Sequence, residues 1–336
     1  MALPSPGFNQ ATSQSPSSPS IDSPATDPQP LFGSALEPAL REACDQRLSG
    51  VSWFRTDWQR GGALTGYARY TPQNGQTASL EVDVVVKLPV PPRERRWLIH
   101  LQAYDHVAPR LFAHGETLGE YDMAWVVMER MAYGPLGANW KGKEFDLLVE
   151  AAGRFYLAAS EMPLQGQPQQ LDWEKLFHRS RKIVREHNLP HEQRWNRALK
   201  QAQRKLKDWI TRWKNRPVDH WCHGDLHLGN AMTRTAPDTG PAVLLDYAET
   251  RPGCWVEDAV YFEHLFWARR QRLGDRKLCK MIARQRKQLG LPVDSDWAGL
   301  AAVKRALLAM STPARLAFDG DPHHVEAALK VLEASV

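Results

Sequence analysis

The chain has 336 residues, 43% of them hydrophobic and 24% charged, enough to bury a large core in two lobes and ordinary for a globular protein. No run approaches the ~18 consecutive apolar residues that a membrane span requires. The four cysteines (Cys44, Cys222, Cys254, Cys279) form no CxxC pair, which points to free thiols in a reducing compartment and a cytoplasmic protein.

Residues 1–30 are rich in Pro, Ser, Gln and Thr, with no Lys or Arg and two acidic residues. Such a stretch buries too little apolar surface to offset its ordering entropy, so a disordered tail is expected. It lacks the basic and apolar regions of a secretory signal and the arginines of a transit peptide. Apolar spacing predicts a helix over 34–49, ended by Gly50. Three β-rich runs follow, 51–59, 64–71 and 80–88, joined by Arg60-Gly61-Gly62 and Pro72-Gln73-Asn74-Gly75. Both joins are turn chemistry, and the pattern predicts an antiparallel meander. The Gly61-Gly62 turn would let backbone N–H groups approach a phosphate.

Lys87 ends the third run, LEVDVVVKL. It either snorkels to water or grips the α- and β-phosphates of a nucleotide. A helix should start at Pro91-Pro92 and run to about His106, with proline near N1. Glu94, in its first turn, either pairs with Lys87 or serves the helix dipole. A buried strand over 124–131 then runs into Tyr133-Gly134-Pro135. That strand suits a hinge between lobes, with backbone groups of Met128, Glu129 and Met131 meeting an adenine edge. The expected division is therefore a nucleotide lobe over 31–131 and a catalytic and substrate lobe over 132–336.

From Phe145 the chain reads as helical, with helices over 145–160, 174–188 and 192–215. Residues 175–216 carry fourteen Lys/Arg against three Asp/Glu, so the rest of the chain is net acidic. Such a run is either a solvated helix face or a surface for an anionic ligand. Trp209 and Trp213, spaced i,i+4, suit a packing stripe. Further helices are expected from about Val256 and over 276–336. The whole is an α+β, two-lobed layout, a small antiparallel β lobe followed by a mainly helical one.

The most informative stretch is 219–250. It holds HGDLHLGN, then the apolar run AVLL ending in Asp246. Asp225, Asn230 and Asp246 are all oxygen donors. Phosphoryl transfer from a Mg²⁺-bound nucleotide needs one carboxylate to take a hydroxyl proton, and an amide with a second carboxylate to hold hard cations. Asp225 fits the base, Asn230 and Asp246 the Mg²⁺ ligands, and His223 a brace for the loop. The expectation is a small-molecule kinase using ATP and Mg²⁺ with a hydroxyl acceptor. Two other readings use the same residues. A metal-dependent hydrolase would take His223, Asp225, His227 and Asp246 as ligands, and a kinase-like module could bind nucleotide without transfer. The net charge of +5 is modest and there is no reader motif, which argues against a nucleic-acid partner.

HGDLHLGN followed by LLDYAE resembles the aminoglycoside phosphotransferase and choline kinase superfamily, similar in fold to protein kinases. The resemblance covers about residues 45–265. It implies that Gly61-Gly62 with Tyr67 is the nucleotide loop, and that VVVK ends in the phosphate-gripping Lys87. It further implies that Glu94 is the partner of that lysine and that Val127-Met128-Glu129-Arg130-Met131 is the hinge. Asp258 resembles the helix aspartate that supports the catalytic loop. The chain departs from the family in Phe155-Tyr156, where Leu-His is frequent, and in the basic helices, since members acting on cationic aminoglycosides tend to present acidic surfaces. A neutral or anionic acceptor is therefore expected.

Overall fold

In the computed structural model, the described residues are 28–54, 63–73, 80–138, 140–187, 189–236, 240–316 and 321–336. Gly61 and Gly62, the Asn74-Gly75 turn and most of the expected tail lie outside them. The described residues divide into two units, one within 28–103 and 109–131 and the other within 104–108 and 132–336.

The smaller unit opens with α1 (Pro28–Ala43). This helix starts and ends about six residues earlier than expected. Its stop is not Gly50 but Asp45 and Gln46, both in the left-handed region (φ 51° and 59°), which turns the chain out of helical geometry. Gly50 instead lies inside β1 (Leu48–Phe54), where the pairing with β2 (Leu64–Tyr70) shifts register between Ser49 and Ser52. β2 pairs with β3 (Val82–Leu88) in continuous antiparallel register from Leu64↔Leu88 to Tyr70↔Val82. After α2 (Pro92–His100) and a short 3-10 turn come β4 (Leu111–Gly115) and β5 (Trp125–Glu129). α2 stops at His100, short of the expected His106. The sheet order is β1-β2-β3-β5-β4. β4 was not expected: none of its residues is fully buried and its pairing with β5 shifts register between Leu111 and Ala113, so it carries little alternation to detect.

Period-two alternation builds this unit's core. Val84, Val86 and Leu88 of β3 are buried and join Leu36, Leu40, Leu64, Tyr70, Trp125 and Val127 in one apolar cluster. Lys87 therefore lies on the opposite face of β3, with Val85, rather than inside the apolar run. Burying each such aliphatic side chain contributes roughly 1.5–3 kcal/mol.

The larger unit begins its regular structure with α3 (Glu144–Ala159), α4 (Trp173–Glu186) and α5 (Glu192–Lys214). β6 (His220–Cys222), β7 (Ala231–Thr233), β8 (Ala242–Leu244) and β9 (Arg251–Gly253) form two small antiparallel pairs, β6 with β9 and β7 with β8. Then come α6 (Val256–His264), α7 (Arg270–Leu273), α8 (Leu278–Gln288), α9 (Trp297–Leu316) and α10 (Pro322–Glu333). Two starts are written in sequence. The Asp172 carboxylate accepts the Lys175 N–H to cap α4, and Asp321 caps α10 ahead of Pro322 at N1.

α4 and α5 are the basic helices of the sequence. One face of each is apolar and buried: Trp173, Phe177 and Val184 on α4, and Trp195, Trp209 and Trp213 on α5. That face packs against α9, and α5 also against α10. Part of the positive charge ties the unit together: Arg194 pairs with Glu333, Arg212 with Asp296, and Arg216, itself buried, with Glu257. No described helix is long and apolar enough to cross a membrane.

Candidate active site

The stretch around HGD is held from three directions within the larger unit. β6 delivers it: Cys222 pairs with Arg251 of β9, so His223 emerges at the end of a two-stranded ladder. α6 then grips its backbone. The Asp258 carboxylate accepts the N–H of His223 at 2.8 Å and of Gly224 at 2.9 Å, and also the Tyr156 hydroxyl at 3.0 Å. Burial pushes the Asp258 carboxyl up, against the pull of His223 and of those two N–H groups. Gly224 has φ +86°, and a Cβ there would run into the backbone carbonyl oxygen of Glu249. Only glycine meets both the left-handed φ and the close approach.

His223 is fully buried and both ring nitrogens are engaged. Nδ1 faces the Asp225 N–H at 3.4 Å and Nε2 faces the Leu245 carbonyl at 3.1 Å. A backbone N–H can only donate, so Nδ1 accepts and Nε2 carries the proton. Burial lowers the His223 pKa in spite of Asp258, Asp225 and Asp246, whose charges all act on it. The ring is a neutral bracket that ties the loop to the strand before Asp246.

The Asp225 carboxylate receives three donors. The Tyr261 hydroxyl reaches Oδ1 at 2.5 Å and the Asn230 amide reaches Oδ2 at 2.9 Å. His227 Nε2 lies 3.4 Å from Oδ2. The Gly229 N–H points at His227 Nδ1, which leaves the ring proton on Nε2, facing the carboxylate. Burial acts to raise the Asp225 pKa, but the hydrogen bonds from His227 and Tyr261 outweigh it and hold the group below the usual carboxylate range. Asp225 is therefore ionised near neutral pH, suited to orient a hydroxyl and take its proton late.

Asn230 and Asp246 are brought together by strand register. Ala231 pairs with Leu244, and the Leu245 N–H donates to the Asn230 carbonyl at 2.9 Å. The residue after Asn230 and the two residues before Asp246 thus lie on one short hairpin. Asp246 is half-buried and sits at φ 59°, a conformation Asp tolerates better than most side chains. Asn230 Nδ2 is spent on Asp225, both on its carboxylate and on its carbonyl, which leaves the amide oxygen as the group able to face a cation. One amide oxygen and one carboxylate on a single hairpin suit Mg²⁺, which takes one or two protein oxygens and fills its shell with water and phosphate.

In the smaller unit, Lys87 Nζ is 2.7 and 2.8 Å from the two oxygens of Glu94. Glu94 is buried and Lys87 is 17% exposed at the side chain. For Glu94, which sequence left between pairing with Lys87 and serving the helix dipole, the pairing is formed. Removing either partner of such a pair typically costs 3–5 kcal/mol. Met128 and Glu129 lie on β5, opposite Val85 and Val84. The Glu129 N–H donates to the Arg110 carbonyl and the Arg130 N–H to that of Asp83. Met131 is buried at the end of this unit.

Tyr261 was not among the residues singled out by sequence, and Tyr156 was noted only as a departure from the family pattern. For Tyr261 a signal existed: it follows Asp258 by three positions on one helix, so both face the same way.

A family model described as the phosphotransferase enzyme family matches residues 67–302. Sequence comparison with curated proteins finds no match. Among solved structures, the chain resembles the microcompartment-associated aminopropanol kinase (13% identity, 90% of this chain and 95% of that one, TM-score 0.54). It also resembles a candidate aminoglycoside phosphotransferase from Ralstonia eutropha (16%, 89% and 96%, 0.52) and choline kinase from Cryptosporidium parvum (10%, 92% and 94%, 0.51). At these identities the likeness speaks for the fold, the α+β protein-kinase-like one. The family match spans well over half of the chain, and the protein belongs to the phosphotransferase enzyme family.

Proposed function

We propose that this phosphotransferase is a small-molecule kinase that moves the ATP γ-phosphate to a hydroxyl of a neutral or anionic metabolite in the cytoplasm. The observation that carries the reading is the Asp225 carboxylate, kept ionised by three donors on a loop that also supplies Asn230. Asp225 orients the acceptor hydroxyl and receives its proton. Asn230 and Asp246 hold Mg²⁺, which when bound neutralises phosphate charge. Lys87, steadied by Glu94, holds the nucleotide phosphates, with Gly61 and Gly62 as the covering turn. Met128, Glu129 and Met131 meet the adenine edge. Because the N–H groups of Glu129 and Arg130 are already engaged, the donor to adenine is that of Met131.

The basic helices α4 and α5, with fourteen Lys/Arg against three Asp/Glu over 175–216, favour a non-cationic acceptor. A metal-dependent hydrolase fits less well, since both nitrogens of His223 are used within the loop. All four cysteines are buried free thiols, in keeping with a reducing compartment.

The test is an acceptor screen by ADP release with ATP and Mg²⁺. Wild type should turn over a hydroxylated, neutral or anionic acceptor in preference to kanamycin-type substrates. Asp225→Asn should keep MgATP binding and lose most turnover. Asp246→Ala should weaken Mg²⁺-dependent nucleotide binding itself. Full turnover by Asp225→Asn would remove Asp225 from its role.

A further inference from the structure

α6 grips the catalytic stretch twice. In its first turn Asp258 takes the backbone N–H groups of His223 and Gly224. One turn later Tyr261 donates its hydroxyl to Asp225 Oδ1 at 2.5 Å. The two residues are spaced i,i+3 and share a helix face. The helix behind them is anchored, with Ala259, Val260 and Phe262 fully buried and with α8 and α9 packed against it.

The second grip acts on the side chain rather than the backbone. Asn230 and His227 both address Oδ2. The carboxylate turns about Cβ–Cγ as one rigid plane, so a donor on Oδ1 adds a constraint at its other end to the two on Oδ2. A carboxylate accepts about four hydrogen bonds; Tyr261, Asn230 and His227 take three, leaving one lone-pair direction, on Oδ1, for an acceptor hydroxyl. Burial and the neighbouring Asp225 charge push the Tyr261 pKa well up, so its hydroxyl stays a donor. Its ring is held 5.2 Å from that of His264.

We propose that Tyr261 is a positioning residue that sets the plane of the Asp225 carboxylate and so selects the direction from which the acceptor hydroxyl is taken. This rests on the reading of Asp225 as the base. It goes beyond that reading by assigning the orientation of the base to a side chain 36 positions downstream.

Tyr261→Phe deletes the hydroxyl and keeps the ring. With the acceptor found in the screen, kcat should fall by at least about tenfold, as expected for a misdirected proton acceptor, while KM for MgATP stays within about twofold. Replacing Tyr261 with 4-aminophenylalanine restores a donor at the same point and should recover most of the rate. A packing role would make these two variants equal. Crystal structures of wild type and Tyr261→Phe give a readout that needs no acceptor: the Asp225 carboxylate should turn about Cβ–Cγ in the variant. An unmoved carboxylate, or a kcat that is unchanged or raised, would overturn the proposal; a raised kcat would mean that the hydroxyl occupies the acceptor's place. If wild type transfers phosphate to nothing, the kinase reading fails, and the carboxylate orientation still decides the role of Tyr261.

Discussion

Replacing Asp258 with asparagine changes one atom at the point where α6 meets the catalytic stretch. The carboxylate now serves three donors: Gly224 N–H on Oδ1, and His223 N–H and the Tyr156 hydroxyl on Oδ2. An asparagine of the same shape has one oxygen. If it keeps the side with two donors, its amide nitrogen faces the Gly224 N–H. If it turns over, it faces two. At least one charge-assisted bond is lost, about 1.5–3 kcal/mol, and one buried N–H is left without an acceptor, about 1–3 kcal/mol. Relief from burying a charge offsets part of this, since the folded state holds Asp258 at a raised pKa. A net loss of about 2–4 kcal/mol follows, against a typical total of roughly 5–15 kcal/mol, which corresponds to a melting temperature lower by roughly 3–6 °C. Turnover should fall further than stability explains, because His223 and Gly224 carry Asp225. Thermal denaturation and ADP-release kinetics below the melting point measure both. A melting temperature within about 2 °C of wild type, together with unchanged kcat, would refute the claim that Asp258 holds the loop.

Gly224→Ala should cost about 1–2 kcal/mol for its left-handed φ, plus a collision with the Glu249 carbonyl, which as backbone cannot swing aside; soluble variant protein with full turnover would contradict this. Glu94→Gln should lower stability, by up to about 3–5 kcal/mol, and loosen Lys87, lowering nucleotide affinity and kcat together, as Lys87→Ala would; calorimetric titration with MgATP checks it. Burial lowers Lys304 to about 8, beside the rings of Trp173 and Trp213. Between that pH and about 10.5, the unfolded chain holds a proton there that the folded chain has lost. This group therefore makes stability rise with pH over the window, by up to about 1.4 kcal/mol per unit. Cys44 and Cys254, pushed up to about 12, act in the opposite sense. The difference between wild-type and Lys304→Met urea profiles isolates the lysine, and parallel profiles would show that it does not titrate there.

Much of the candidate site was legible in one octapeptide. Asp225 and Asn230 are close in sequence, and their bond is a local consequence of a short loop. Asp246 stands at the end of an apolar run, and hairpin register alone brings that end back to Asn230. Period-two alternation in β3 and the apolar stripes of α4 and α5 were readable for the same reason: a periodic pattern reports which face is buried. A pattern does not report what the other face meets. Whether Glu94 met Lys87 or only the helix dipole was open until α2 was placed against β3. β4 was missed because its residues are only partly buried and its register is broken. α1 was misplaced because its end depends on Asp45 and Gln46 adopting left-handed backbone, which no periodicity encodes. The grip of α6 on the loop joins residues 34 to 36 positions apart. Sequence determined the donor and acceptor groups that had to be satisfied, and a buried N–H or carboxylate must find a partner. Only the tertiary structure decided which partner, because that depends on which helix the core brings alongside.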